Sequence, residues 1–116
     1  MIRIENKKTY HGNGVLVCRP SPLGNPYKIS KDMTRDMACD KYREWLLERL
    51  ETDNPTSKAF FALLNFHLDE GELVLICCCC PLRCHAEVIR DLLIEVEERV
   101  GRLKTKQIGD NYGDDE

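Results

Sequence analysis

Glu72-Leu73-Val74-Leu75-Ile76-Cys77-Cys78-Cys79-Cys80-Pro81-Leu82-Arg83-Cys84-His85-Ala86-Glu87 is the stretch on which the reading of the fold turns. Residues 72–80 form a nearly unbroken apolar run bounded by Gly71 and Pro81. A run of this kind, without polar alternation, is the pattern of a strand covered on both faces, as at the centre of an α/β sheet. It falls far short of the roughly 20 apolar residues that a membrane-spanning helix needs. Beyond it, Val88, Ile89, Leu92, Leu93, Val96 and Val100 recur at helical spacing. They predict a helix from Cys84 to Val100, with Gly101 as its C-terminal cap.

Working outward, Ile2 and Ile4 alternate with Arg3 and Glu5, a short strand signal, and Val15-Leu16-Val17 is a second. His11-Gly12-Asn13-Gly14 reads as a turn between them. Arg19-Pro20-Ser21-Pro22-Leu23-Gly24-Asn25-Pro26-Tyr27 follows, and three prolines in so short a stretch forbid a helix and stiffen the backbone. Thr34 is a good N-cap for a helix, with Asp36 in the first turn where the dipole favours an anion. Ala38, Tyr42, Trp45, Leu46 and Leu50 give that helix one apolar stripe. Asp53-Asn54-Pro55 ends it and starts another, with Pro55 at the first helical position. Phe60, Phe61, Leu63, Leu64, His67 and Leu68 are its expected inward face, and Gly71 its end. The order strand, strand, loop, helix, helix, strand, helix predicts a small open, Rossmann-like α/β sheet with flanking helices in a single domain over residues 1–103. Residues 104–116, ending in Asp110-Asn111-Tyr112-Gly113-Asp114-Asp115-Glu116, read as an acidic flexible tail.

The chain has 116 residues, enough for one domain with a real core, and a formal net charge of −3. Charge is uneven: residues 1–50 hold ten Lys/Arg against six Asp/Glu, residues 51–116 seven against fourteen. The overall sign disfavours general nucleic-acid binding, which rests on neutralising phosphates, although the basic first half leaves room for a local patch. No basic start followed by an apolar stretch marks a signal peptide, so the cytoplasm is the expected compartment. Five of the seven cysteines crowd into residues 77–84, unlike a disulfide framework, and neighbours in sequence meet disulfide geometry poorly. Metal, catalysis or simple burial are the readings left open.

Ligands of open α/β sheets bind outside the carboxyl ends of the strands. Two segments lie there: the loop 19–27, and the run from Cys77 into the last helix. Arg19, Ser21, Gly24 and Asn25 are the candidate binders in the loop, with Lys28, Lys31 and Arg35 adding positive charge nearby. Asn25 hydrogen-bonding its own backbone in a rigid turn is the competing reading. Cys84, His85 and Glu87 are the candidate catalytic residues, because a helix start lowers a thiol pKa and attracts anions. Cys77, Cys79, Cys84 and His85 also supply the four ligands zinc would take, although adjacent Cys84 and His85 diverge by about 100° around a helix. Cys78 and Cys80, on the other side of the strand, read as small buried hydrophobes.

These motifs resemble a family. Val17-Cys18-Arg19-Pro20-Ser21-Pro22-Leu23-Gly24-Asn25-Pro26-Tyr27, then Thr34-Arg35 and Tyr42-Arg43-Glu44-Trp45-Leu46, and finally Leu75 to Glu87, are similar to the two signatures of the family named domain of unknown function 4326. That family is common in bacterial and viral genomes, and its name implies no activity. The resemblance carries over Arg19, Pro20, Gly24, Asn25 and Pro26 in front, and Cys77, Cys79, Cys84 and His85 behind. Departures are Cys18 and Ala86 where the pattern has Gly, Cys78 where it has Trp, and Glu87 where it has Asp.

The expectation that follows is a small enzyme, monomeric or a small homo-oligomer. It would bind an anionic small molecule, nucleotide-like or phosphorylated, and act as a nucleoside- or nucleotide-directed hydrolase or transferase. A metal-stabilised, non-catalytic module for nucleic acid or protein is the alternative. The enzyme expectation stands or falls on whether loop 19–27 meets the helix start 84–87.

Overall fold

The computed structural model describes residues 1–79 and 82–114, with side chains as far as residue 99. It is a single α/β domain in which three parallel strands form an open sheet with three helices. In chain order the elements are β1 (Ile2–Asn6), β2 (Val15–Leu16), α1 (Arg35–Arg49), α2 (Pro55–Glu70), β3 (Leu73–Cys77) and α3 (His85–Asp114). The sheet order is β1-β3-β2, so the apolar run does occupy the centre. Ile2 pairs with Leu73 and Ile4 with Leu75, while Val15 also faces Leu75 from the other edge.

One face of the sheet carries the core. Leu73, Leu75 and Cys77 are buried, Val17 with them, and Ile2 and Ile4 pack alongside. Tyr42 and Leu46 of α1, Phe60, Leu63 and Leu64 of α2, and Val88, Ile89, Leu92 and Leu93 of α3 complete a single cluster. Each such side chain contributes roughly 1.5–3 kcal/mol on leaving water. Val74 and Ile76, on the second face, are only half-buried. The expected cover on both faces is thus corrected: the helical side is sealed, whereas the other side receives the turn between β1 and β2. Gly14 lies so close there that a Cβ would stand 2.9 Å from the Ile76 Cδ1 and 3.0 Å from the Val74 carbonyl oxygen.

Local signals set most boundaries. The Thr34 hydroxyl accepts from the Met37 N–H at 3.1 Å and caps α1. Asn54 caps α2 through the Ser57 N–H at 2.9 Å, and Ser57 returns the bond by accepting from the Asn54 N–H at 3.0 Å, a capping box ahead of Pro55. Gly71 ends α2 with a φ of 79°, a left-handed conformation that favours glycine.

Three features differ from expectation. β3 stops at Cys77, where the backbone bends, so Cys78 is exposed rather than a buried filler, and Cys80 lies outside the described residues. Phe61 and Leu68, expected inward on α2, are exposed at 41% and 42%, each one position beyond the stripe that meets the core. α3 begins at His85 and passes through Gly101 to Asp114 instead of capping there. A glycine within a helix costs only about 1 kcal/mol relative to alanine, too little to enforce a stop alone. The backbone of the expected tail 104–116 is therefore helical as far as Asp114.

Candidate functional site

The carboxyl ends of β2 and β3 open into a pocket of about 440 Å³. That size falls within the roughly 300–1,000 Å³ of small-molecule sites. Arg19, Asn25, Tyr27 and Lys28 line it from the loop after β2, Arg35, Ala38 and Cys39 from α1, and Cys78, Cys79, Arg83, Cys84 and His85 from the passage into α3. The two segments singled out in the sequence thus face one another across one cavity. Among the described residues four charged side chains line it, and all four are basic: Arg19, Lys28, Arg35 and Arg83.

The loop is held from within. Gly24 donates to the Ser21 carbonyl at 2.8 Å, and the Ser21 hydroxyl accepts from the Leu23 N–H at 3.1 Å. A Cβ on Gly24 would stand 2.9 Å from the Arg19 backbone nitrogen, a contact that backbone cannot relieve cheaply. Asn25 accepts from the Tyr27 N–H at 2.8 Å and donates to the Ala38 carbonyl at 3.3 Å, tying the loop to α1. Asn25 thus forms the self-bonded turn and also lines the pocket. Thr56 donates to the Pro22 carbonyl at 2.8 Å, and Tyr42 to the Leu23 carbonyl at 2.6 Å. Ser21 and Gly24 do not line the pocket; they shape the loop that does.

His85 anchors the opposite wall. Its Nε2 donates to the Val17 carbonyl at 2.6 Å, and its ring meets the Tyr42 ring edge-on at 5.1 Å between centroids. A carbonyl can only accept, so the proton sits on Nε2 and the neutral ring keeps Nδ1 as a bare acceptor. Burial pushes the imidazole below its ordinary pKa, and nearby Arg19 adds to this against the opposing pull of the Val17 carbonyl. Burial likewise pushes the Cys84 thiol up to about 12, with the Cys77 thiol beside it contributing, although the Ala86 backbone at the helix start pulls the other way. The lowered thiol pKa expected at a helix start is reversed because desolvation outweighs the dipole.

Glu87 is not among the residues that line the pocket, although its charge acts on the pocket-lining Cys39; its backbone N–H donates to the Cys84 carbonyl at 3.0 Å. Nor does the expected metal set assemble. Among the described residues no three His, Cys, Asp or Glu side chains converge as a metal site requires. The Nε2 of His85 is committed to a backbone carbonyl, and Cys77 and Cys84 are sealed in the core.

The cations were only partly legible. Lys28 and Arg35, near the loop in sequence, both line the cavity; Lys31 does not. Arg83 is the residue that sequence reasoning missed. Its guanidinium bridges Asp36 at 2.8 Å and Asp40 at 3.1 Å on α1, which draws the 82–84 segment over the pocket. Arg35 donates to the Arg83 carbonyl at 3.1 Å and lies beside the Cys79 sulfur. Arg19, Lys28 and Arg35 have no carboxylate partner among the described residues.

A family model described as Domain of unknown function (DUF4326) matches residues 2–95, which include every strand and the whole pocket. The chain belongs to that family. No curated protein and no solved structure matches it.

Proposed function

We propose that this member of the DUF4326 family binds a phosphorylated or nucleotide-like anion in the pocket at the carboxyl end of its sheet. We further propose that it acts there, in the cytoplasm, as a nucleoside- or nucleotide-directed hydrolase or transferase. One observation carries the reading: every charged side chain that lines the cavity is basic, and three of the four have no carboxylate partner among the described residues. Cations held together without acids in a concave site repel one another, and an anion that enters relieves this while gaining charge-assisted hydrogen bonds. Arg19 and Arg35 offer planar forks suited to phosphate, and Lys28 a mobile point charge. Tyr27 and Ile29 supply an apolar side on which a base or sugar face can rest.

Within the reaction, His85 is the group able to accept a proton, through Nδ1, since it stays neutral at pH 7. The Cys84 thiol stays protonated there and positions the helix start rather than attacking. Glu87 does not line the cavity.

A thermal-shift panel tests the proposal: inorganic phosphate, nucleoside mono-, di- and triphosphates, a sugar phosphate, unphosphorylated nucleosides and a short oligonucleotide, each with and without chelator. A rise in Tm with phosphorylated small molecules, lost in Arg35→Ala, is the expected result. Stabilisation by the oligonucleotide alone would replace the enzyme with a nucleic-acid-binding module. Destabilisation by chelator alone would revive a metal-held fold.

A further inference from the structure

Cys18 and Cys78 meet at the mouth of the pocket. Their sulfurs are 3.0 Å apart, close enough to share a proton. Strand register brings them there: Leu16 faces Ile76, the Val17 N–H donates to the Ile76 carbonyl at 3.0 Å, and each cysteine is the first or second residue past that pairing. Adjacent strands lie about 4.8 Å apart, within the Cα separation that a disulfide spans. Both are free thiols, Cys78 exposed and Cys18 half-buried. The other thiols around them differ in access: Cys77 and Cys84 are also neighbours, but both are buried, so neither presents an exposed sulfur for the first attack.

We infer that Cys18 and Cys78 are a redox modification site, a thiol pair that closes to a reversible disulfide across the β2–β3 edge when the protein meets a peroxide. The exposed Cys78 sulfur, as thiolate, attacks one peroxide oxygen; the O–O bond breaks, and the departing hydroxide takes a proton and leaves as water. Cys78 is then a sulfenic acid. Cys18 loses its proton and its sulfur attacks that of Cys78, forming the S–S bond as the S–O bond breaks. The released hydroxide takes up a proton and leaves as a second water. The two sulfurs together give up two electrons, and the peroxide is reduced. Burial and the neighbouring thiol push Cys18 up to about 11, which suits the resolving partner more than the first attacker.

The site stands independently of what the pocket binds, so its test needs no ligand. Native full-length protein is exposed to hydrogen peroxide, quenched, unfolded and alkylated, and its intact mass is read. The expected result is the loss of two of the seven alkylatable thiols, restored by dithiothreitol, with the bond mapped by fragmentation to Cys18 and Cys78. Cys18→Ser and Cys18→Ala, each shown to be folded by its melting curve, should lose the disulfide and carry a single dimedone-reactive sulfenic acid at Cys78. Cys79→Ser should form the disulfide as the wild type does. Retention of all seven thiols, a bond mapped elsewhere, or an undiminished two-thiol loss in the Cys18 variants would overturn the inference.

Discussion

The two walls of the pocket are built on opposite principles. The wall at the start of α3 is packed: His85 and Cys84 are buried, the imidazole is bonded to Val17 and set against Tyr42, and the thiol is held protonated. The wall made by the loop after β2 and by α1 is open: Arg19 and Lys28 are exposed, Arg35 is half-buried, and none of the three pairs with a carboxylate among the described residues. Residue types that look most reactive in the sequence thus hold the cavity, while residues that look like ordinary surface charge meet what enters it. Chemical type alone does not separate the two roles: burial keeps the Cys84 thiol protonated, and the bond to Val17 commits one nitrogen of His85 and leaves only Nδ1 to accept a proton.

If that contrast is right, the packed wall fails first under mutation. His85→Ala should cost about 2–4 kcal/mol in denaturant unfolding, since it opens a cavity and leaves the Val17 carbonyl without its donor. A loss below about 0.5 kcal/mol would mean that the imidazole is not structural. Tyr42→Phe removes one hydroxyl from the same layer and strands the buried Leu23 carbonyl, so about 1–3 kcal/mol is expected from the same measurement.

The open wall should behave in reverse. Arg19→Ala and Arg35→Ala should each weaken binding of whichever anion stabilises the wild type by about tenfold, the loss of roughly one charge-assisted hydrogen bond. Without ligand, the unfolding curve of Arg19→Ala should shift by no more than about 0.5 kcal/mol, as surface substitutions usually do, and that of Arg35→Ala, which loses its bond to the Arg83 carbonyl, by no more than about 1.5 kcal/mol. Unchanged affinity in both variants would remove the anion reading.

A pH profile sharpens the comparison further. The folded His85 pKa lies below its ordinary value of 6.5, so between the two values the unfolded chain binds the proton that the native ring refuses. Its contribution to stability is complete above about pH 6.5 and is lost as pH falls through the folded value. Wild-type Tm should therefore drop between pH 7 and pH 5 more steeply than that of His85→Gln, whose amide can still donate to Val17 without titrating. Parallel profiles would show that the ring takes up its proton equally in the native and unfolded states, and so that burial does not lower its pKa.

The smallest effect is expected at the far end. Among the residues whose side chains are described, which do not include Val100, the buried cluster ends at Leu93 with Val96 packed against it, and the family match ends at residue 95. Deleting residues 104–116 should change the unfolding free energy by less than about 0.5 kcal/mol.

The sequence by itself determined the elements and the place where a site could form. Thr34, Pro55 and Gly71 act through their own φ, ψ or the nearest free N–H groups, and the run 73–77 reads as a central strand because its apolar content needs cover. These are effects of a few neighbouring residues, so they are written locally. Only tertiary structure decided that Cys84 is raised rather than lowered, that Glu87 lies off the cavity, that Arg83 folds over it from a ladder with Asp36 and Asp40, and that Cys18 touches Cys78. The physical reason is that desolvation and pairing depend on atoms that arrive from far along the chain. His85 and Val17 stand 68 positions apart, and Cys18 and Cys78 stand 60. A helix start favours a thiolate wherever it occurs; whether burial outweighs it depends on how much water the rest of the fold removes.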